Sequence, residues 1–253
     1  MRGSSADPCG CFPTGRHYPG IADAIADAIA EVAGLCAEHD PSVDWRRIPI
    51  AVIDFETTGT SPTDDRIVEV GVVCFDQGEV TRAEAILVNP GRPIPESAAR
   101  VHGISDEEVR DAPAFDATVP TLREWLSGRL PVAYNAGFDR SFLHAALDRA
   151  RVTRDPDAPP AFREDVVWAD PLVWAREILK DIERHRLVDV CAHLGVSLEH
   201  AHRAAGDAEA TGRVLMALAP KMPTAYAALI RLQERYRAVQ EAEFARLRGR
   251  RRR

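Results

Sequence analysis

Ile53-Asp54-Phe55-Glu56-Thr57-Thr58-Gly59 (residues 53–59) closes an apolar run that begins at Ile48. Side chains alternate along a strand, so Asp54 and Glu56 point to one face. Two such carboxylates at the end of an apolar strand repel each other and lose hydration. That costs stability unless a cation neutralises them. A hard divalent ion such as Mg²⁺ does so naturally, since it takes carboxylate oxygens and keeps several waters. The alternative is an exposed strand end with two solvated acids, and this segment alone leaves both readings open.

Working outward, Ile48 to Phe55 reads as one strand and Ile67 to Phe75 (IVEVGVVCF) as a second. Asp76-Gln77-Gly78-Glu79 reads as a hairpin turn, and Val80 to Val88 as a third strand. Three strands on short links predict an antiparallel meander. Helices are expected near 105–110 and 115–127, a short strand at Leu130 to Tyr134, and a helix over 138–149. A proline-rich loop (153–165) leads to a final strand, Val166 to Asp170. Helices near 171–180, 186–194 and 204–219 follow. The order βββ-α-β-α-β-α predicts an α/β fold, a mixed sheet flanked by helices.

Outside this body, residues 1–20 lack periodicity and read as a disordered arm. Ile21, Ile25, Ile29, Val32 and Leu35 repeat at helical spacing and predict an amphipathic helix over 21–38. Pro220 and Pro223 end the main domain, and Thr224 can cap a last helix with the stripe Leu229, Leu232, Tyr236, Val239. The expected units are therefore 1–46, 47–220 and 221–253, the first and last being helical appendages.

The 253 residues are 45% apolar and 28% charged, enough for a sizeable core. The net charge of −7 argues against a general nucleic-acid coat. It is also uneven: residues 221–253 carry ten basic and three acidic side chains, the rest 22 basic and 36 acidic. The five cysteines (9, 11, 36, 74, 191) are odd in number and read as reduced, non-ligand thiols. No apolar run is long enough for a membrane span, and no secretory signal is seen at Met1 to Tyr18, so the expected home is the cytoplasm.

Two further acidic motifs accompany the first. In Tyr134-Asn135-Ala136-Gly137-Phe138-Asp139 a strand gives way to a helix with Asp139 in its first turn, where the helix dipole favours an acid. In His202-Arg203-Ala204-Ala205-Gly206-Asp207, five residues span about 140° on a helix. His202 is therefore expected in the preceding loop, folding back toward Asp207; a surface histidine is the bland alternative.

Together DFETTG (54–59), YNAGFD (134–139) and HRAAGD (202–207) resemble the DEDDh 3′–5′ exonucleases, which have an RNase H-like fold. DRIVEVGVV (65–73), VNPGRPIP (88–95), VHGIS (101–105) and WADPLVWAR (168–176) extend the resemblance across about 47–220. It implies that Asp54, Glu56, Asp139 and Asp207 hold two divalent ions, Mg²⁺ or Mn²⁺, and that His202 is the general base. It implies that Thr57, Thr58, Gly59 and His102 meet the terminal nucleotide. Asn135 belongs to the same substrate-facing set and is expected to anchor its loop, while Asp170 reads as structural. Tyr134 stands where many members have histidine, which bears on substrate contacts only. The implied partner is a nucleic acid with a free 3′ end, single-stranded DNA ahead of RNA.

Within that chemistry an RNA-directed exonuclease is the alternative. A catalytically weak module docking a polymerase is an alternative of another class, and Gln240-Glu-Ala-Glu-Phe244 faintly resembles a sliding-clamp peptide. If the basic tail is a phosphate-binding arm, removing 221–253 weakens binding to long single strands and spares dinucleotide hydrolysis.

Overall fold

The computed structural model describes residues 33–198 and 203–251. Four strands, β1 (Ile50–Thr57), β2 (Ile67–Asp76), β3 (Glu79–Leu87) and β4 (Leu130–Val132), form one sheet in the order β3-β2-β1-β4. The meander is antiparallel, and β4 joins β1 in parallel, with Ile50 opposite Leu130. This is the mixed sheet of an RNase H-like fold.

Its helices are α1 (Glu96–His102), α2 (Asp106–Val109), α3 (Phe115–Leu126), α4 (Ala136–Arg149), α5 (Pro171–Ile178), α6 (Leu187–Leu194), α7 (Ala204–Leu218) and α8 (Tyr226–Arg251). Alternation along β1 divides the core. Ile50 and Val52 pack with Val214, Leu215 and Leu218 of α7. Ile53 and Phe55 pack with Leu122 of α3 and Phe142 of α4. Asp54 and Glu56 continue the α7-facing row. Helix α7 can lie this close to the sheet because Gly71 has no side chain: a Cβ there would stand 2.2 Å from the Ala204 carbonyl carbon.

The structure modifies several expectations. The final strand over Val166 to Asp170 reduces to one parallel bridge, Val132 to Ala169. Pro171 starts α5 at once, and the Gln233 amide covers the open edge. Its Oε1 accepts from Asp170 N–H (2.7 Å) and its Nε2 donates to the Trp168 carbonyl (2.9 Å). Helix α1 was not expected; it follows Pro95 without a side-chain cap and is short.

The helix predicted over 21–38 lies outside the described residues up to 32, and 33–38 form turns. Gly34 sits at φ +93° and its carbonyl accepts from Val167 N–H, while Cys36 N–H donates to the Tyr226 hydroxyl (2.9 Å). Those long-range bonds replace helical ones. Cys36, Cys74 and Cys191 are free and buried; Cys9 and Cys11 lie outside the described residues.

Helix α8 is both core and projection. Tyr226, Leu229, Ile230 and Gln233 are wholly buried, and Tyr236 stacks edge-on against Trp174. Val239, Phe244 and Leu247 are exposed. Removing 221–253 therefore takes buried side chains out of the core and does not isolate the tail's role. The clamp-like segment is not a free peptide either, for Gln240 is buried and its Nε2 donates to the Val173 carbonyl and to Glu177. Among the described residues no helix is long and apolar enough to cross a membrane.

Candidate active site

The end of β1 meets the first turn of α7 and the first turn of α4. Carboxylate oxygens of Asp54, Glu56 and Asp207 lie within 4.8 Å of one another. Asp139 joins them from α4: it is 3% exposed, and its Oδ1 accepts the Phe55 N–H (3.1 Å), between the two β1 acids. The acids of the three motifs thus lie at one end of β1. His202 lies outside the described residues.

What sets α7 in place is Glu69, a residue the sequence reasoning missed. It pairs with Glu56 across the β1–β2 ladder and is 1% exposed. Its Oε2 accepts Ala204 N–H (2.9 Å), and both its oxygens accept from the Arg203 guanidinium (2.5–3.2 Å). A buried anion thereby occupies the positive end of α7, three residues before Asp207. The available signal was one acid inside an otherwise apolar strand, where burial demands a partner.

Electrostatics at the cluster are adverse. Burial pushes the Asp54 carboxyl well above the usual carboxylate range, and the charges of Asp139, Asp207, Glu56 and Glu69 add to it. Burial, then Asp207 and Glu69, push Glu56 up to about 7, with Arg203 opposing. Asp139 is likewise raised by burial, against the Phe55 N–H, which favours its ionised form. Crowded oxygen donors of like charge, half hidden from water, are a fitting donor set for a hard divalent cation.

The residues expected at the substrate each have contacts of their own. The Thr57 hydroxyl donates to the Gly59 carbonyl (2.6 Å). The Thr58 hydroxyl donates to Asp65 (3.1 Å) and accepts Arg66 N–H (3.0 Å), so it serves the turn itself. Asp65, also missed, closes on Gly59 so tightly that a Cβ there would meet its carboxylate at 2.4 Å. His102 is 5% exposed beside Thr57 and Glu69. Its Nδ1 accepts Ile104 N–H (3.0 Å), which puts the proton of the neutral ring on Nε2, and burial lowers its pKa.

Asn135 is in the left-handed region (φ 65°) and its side chain is not the loop's anchor. The anchor is the Asp170 carboxylate, which accepts the N–H groups of Asn135 (3.0 Å), Ala136 (3.1 Å) and Leu172 (3.0 Å). Asn135 itself is exposed and lines a cleft between α5 and α8. The Tyr134 hydroxyl donates to the His185 carbonyl (2.7 Å), a structural contact.

Residues 51–215 match the RNase T family of exonucleases. The DNA polymerase III PolC-type of Oceanobacillus iheyensis is 33% identical over 171 residues, which is 68% of this chain and 11% of the polymerase. The chain thus spans about a tenth of that relative's length. Among solved structures, exonuclease X in complex with 5′-overhanging duplex DNA aligns with a TM-score of 0.57 at 23% identity, covering 73% of this chain and 99% of that one. E. coli exonuclease I in complex with a dT13 oligonucleotide aligns with a TM-score of 0.57 at 22% identity, covering 69% and 41%. At these identities the two structures bear on the fold.

Proposed function

The chain belongs to the exonuclease family, and on that footing we propose that it is a 3′–5′ exonuclease that removes nucleoside 5′-monophosphates from the 3′ end of single-stranded DNA, in proofreading or repair. The observation that carries this reading is the convergence of Asp54, Glu56 and Asp207 within 4.8 Å, with Asp139 bound to the strand between the two β1 acids. DNA is favoured over RNA by the polymerase relative. The same relative supports a polymerase as partner, and we propose the cytoplasm as the place of action.

Asp54, Glu56, Asp139 and Asp207 would hold the two divalent ions, Mg²⁺ or Mn²⁺, that this donor set fits. When bound, such ions stabilise the charge that builds at phosphorus during in-line displacement. The protein's own groups do the rest. His202 takes the proton of the attacking water as its oxygen bonds to phosphorus, and the 3′ oxygen of the preceding nucleotide leaves and is protonated. Thr57, Gly59 and His102 border the terminal nucleotide, while Glu69 and Arg203 hold α7 so that Asp207 faces Asp54.

The test is hydrolysis of matched 5′-labelled single-stranded DNA and RNA oligomers with Mg²⁺ or Mn²⁺, beside EDTA and Asp54→Ala controls. The expected result is a ladder from the 3′ end, faster on DNA, lost in both controls. A ladder that survives Asp54→Ala overturns the assignment of the site, and a faster RNA ladder overturns the substrate class.

A further inference from the structure

The second half of α8 lies beyond the segment that matches the exonuclease family, and nothing in the hydrolytic reaction uses it. It forms one wall of a cleft whose other wall is α5. Asn135, Arg176, Arg237, Phe244, Leu247 and Arg248 are among its lining residues. One end of the cleft adjoins the first turn of α4, the turn that carries Asp139. Asn135 lies four residues before Asp139, and Arg237 reaches to 3.9 Å from where a Gly137 Cβ would stand, in the first turn of α4. There Arg237 is fixed by Asp170 (3.5 Å) and Glu234 (3.1 Å). Farther out, the Arg176 guanidinium lies over the Phe244 ring at 4.8 Å, and Phe244 remains 42% exposed.

We propose that this cleft is the track for a single nucleic-acid strand on the 5′ side of the reacting nucleotide, with phosphates on Arg176 and Arg248 and a base on Phe244. Charge selects the occupant. Residues 1–220 carry 22 basic against 36 acidic side chains and repel a polyanion, whereas 221–253 carry ten against three. A polyanion whose end reaches the carboxylates is therefore drawn along α8. An aromatic face among arginines is the composition that binds single strands without regard to sequence. A protein segment rich in acids satisfies the arginines but makes no use of the ring. The inference rests on the exonuclease reading only in assigning the 3′ end to the Asp54 cluster.

The test is binding of the full chain to fluorescent dT15 in EDTA, by anisotropy across a salt series, with Arg176→Ala, Arg248→Ala and Phe244→Ala. Dinucleotide hydrolysis with Mg²⁺ is measured alongside. Each arginine variant is expected to weaken dT15 severalfold and to flatten the slope of log affinity against log salt by about 0.7. Phe244→Ala is expected to weaken binding about tenfold with the slope unchanged. All three leave dinucleotide hydrolysis within about twofold, since a dinucleotide is too short to reach them. Unchanged dT15 affinity in the three variants overturns the proposal, as do equal losses on dT15 and dinucleotide. Poly-glutamate binding as tightly as dT15, insensitive to Phe244→Ala, reassigns the cleft to an acidic protein segment. Binding in EDTA needs no catalysis, so a wild-type chain that fails to hydrolyse DNA sinks the exonuclease assignment without touching this one.

Discussion

Glu56 is held neutral by its surroundings up to about 7, against an ordinary carboxylate value of 4.5. Between those values the unfolded chain has lost this proton and the metal-free native state keeps it. The native state then binds more protons, so this group's contribution to stability falls as pH rises through the window. Buried histidines act in the opposite sense: His144, pulled down to about 4, favours the native state as pH rises. The measurement is therefore a difference. In EDTA, the stability of wild type relative to Glu56→Gln is expected to fall from pH 4.5 to pH 7, by calorimetry at matched pH. A difference that is flat or rises contradicts the crowded cluster. Glu69 makes the opposite case, a buried acid whose partners are all present. Glu69→Gln keeps the volume and loses the charge-assisted bonds to Arg203, at a cost of about 2 kcal/mol by urea denaturation. It is also expected to lower kcat, because Asp207 hangs from the helix that Glu69 caps.

Among the elements, α7 and α8 depend on opposite features of the sheet. Helix α7 needs an absence. At Gly71 a methyl would meet the Ala204 backbone at 2.2 Å, and a helix backbone cannot yield locally. Gly71→Ala is expected to push α7 off the sheet, costing about 1–3 kcal/mol and most of the activity, read by thermal midpoint and hydrolysis rate. Helix α8 needs a presence. Leu229 is wholly buried and Val239 is 51% exposed on the same helix. Leu229→Ala is expected to destabilise by about 2–5 kcal/mol. Val239→Ala should stay within about 0.5 kcal/mol. Equal effects in urea denaturation contradict the division of α8 into a buried half and a projecting half.

For the whole molecule, the acidic cluster is expected to couple folding to metal. A ligand that binds only the native state stabilises it by mass action, by about 2.7 kcal/mol at a hundred times its dissociation constant. Mg²⁺ or Mn²⁺ is expected to raise the thermal midpoint of the wild type and to leave that of Asp54→Ala unchanged, with EDTA reversing the rise. A midpoint that responds equally in both places the ion elsewhere.

The strands of the meander, most of the helices and the acidic motifs that cluster were legible in the sequence, because each is local. Alternation reports a strand, a three-to-four-residue period reports a helix, and an acid at a strand end or helix start is visible where it stands. What required the tertiary structure was every feature made by two distant segments. Glu69 became the cap of α7, and Gln233 the cover for the edge at Trp168 and Asp170. Residues 33–38 were turned from a helix into a strap by Val167 and Tyr226. The half of α8 that carries Leu229 became core although its sequence reads as an appendage. Local patterns state which face of an element is apolar; only packing decides which buried polar group finds which partner, and that choice set α7, and with it Asp207, against Asp54.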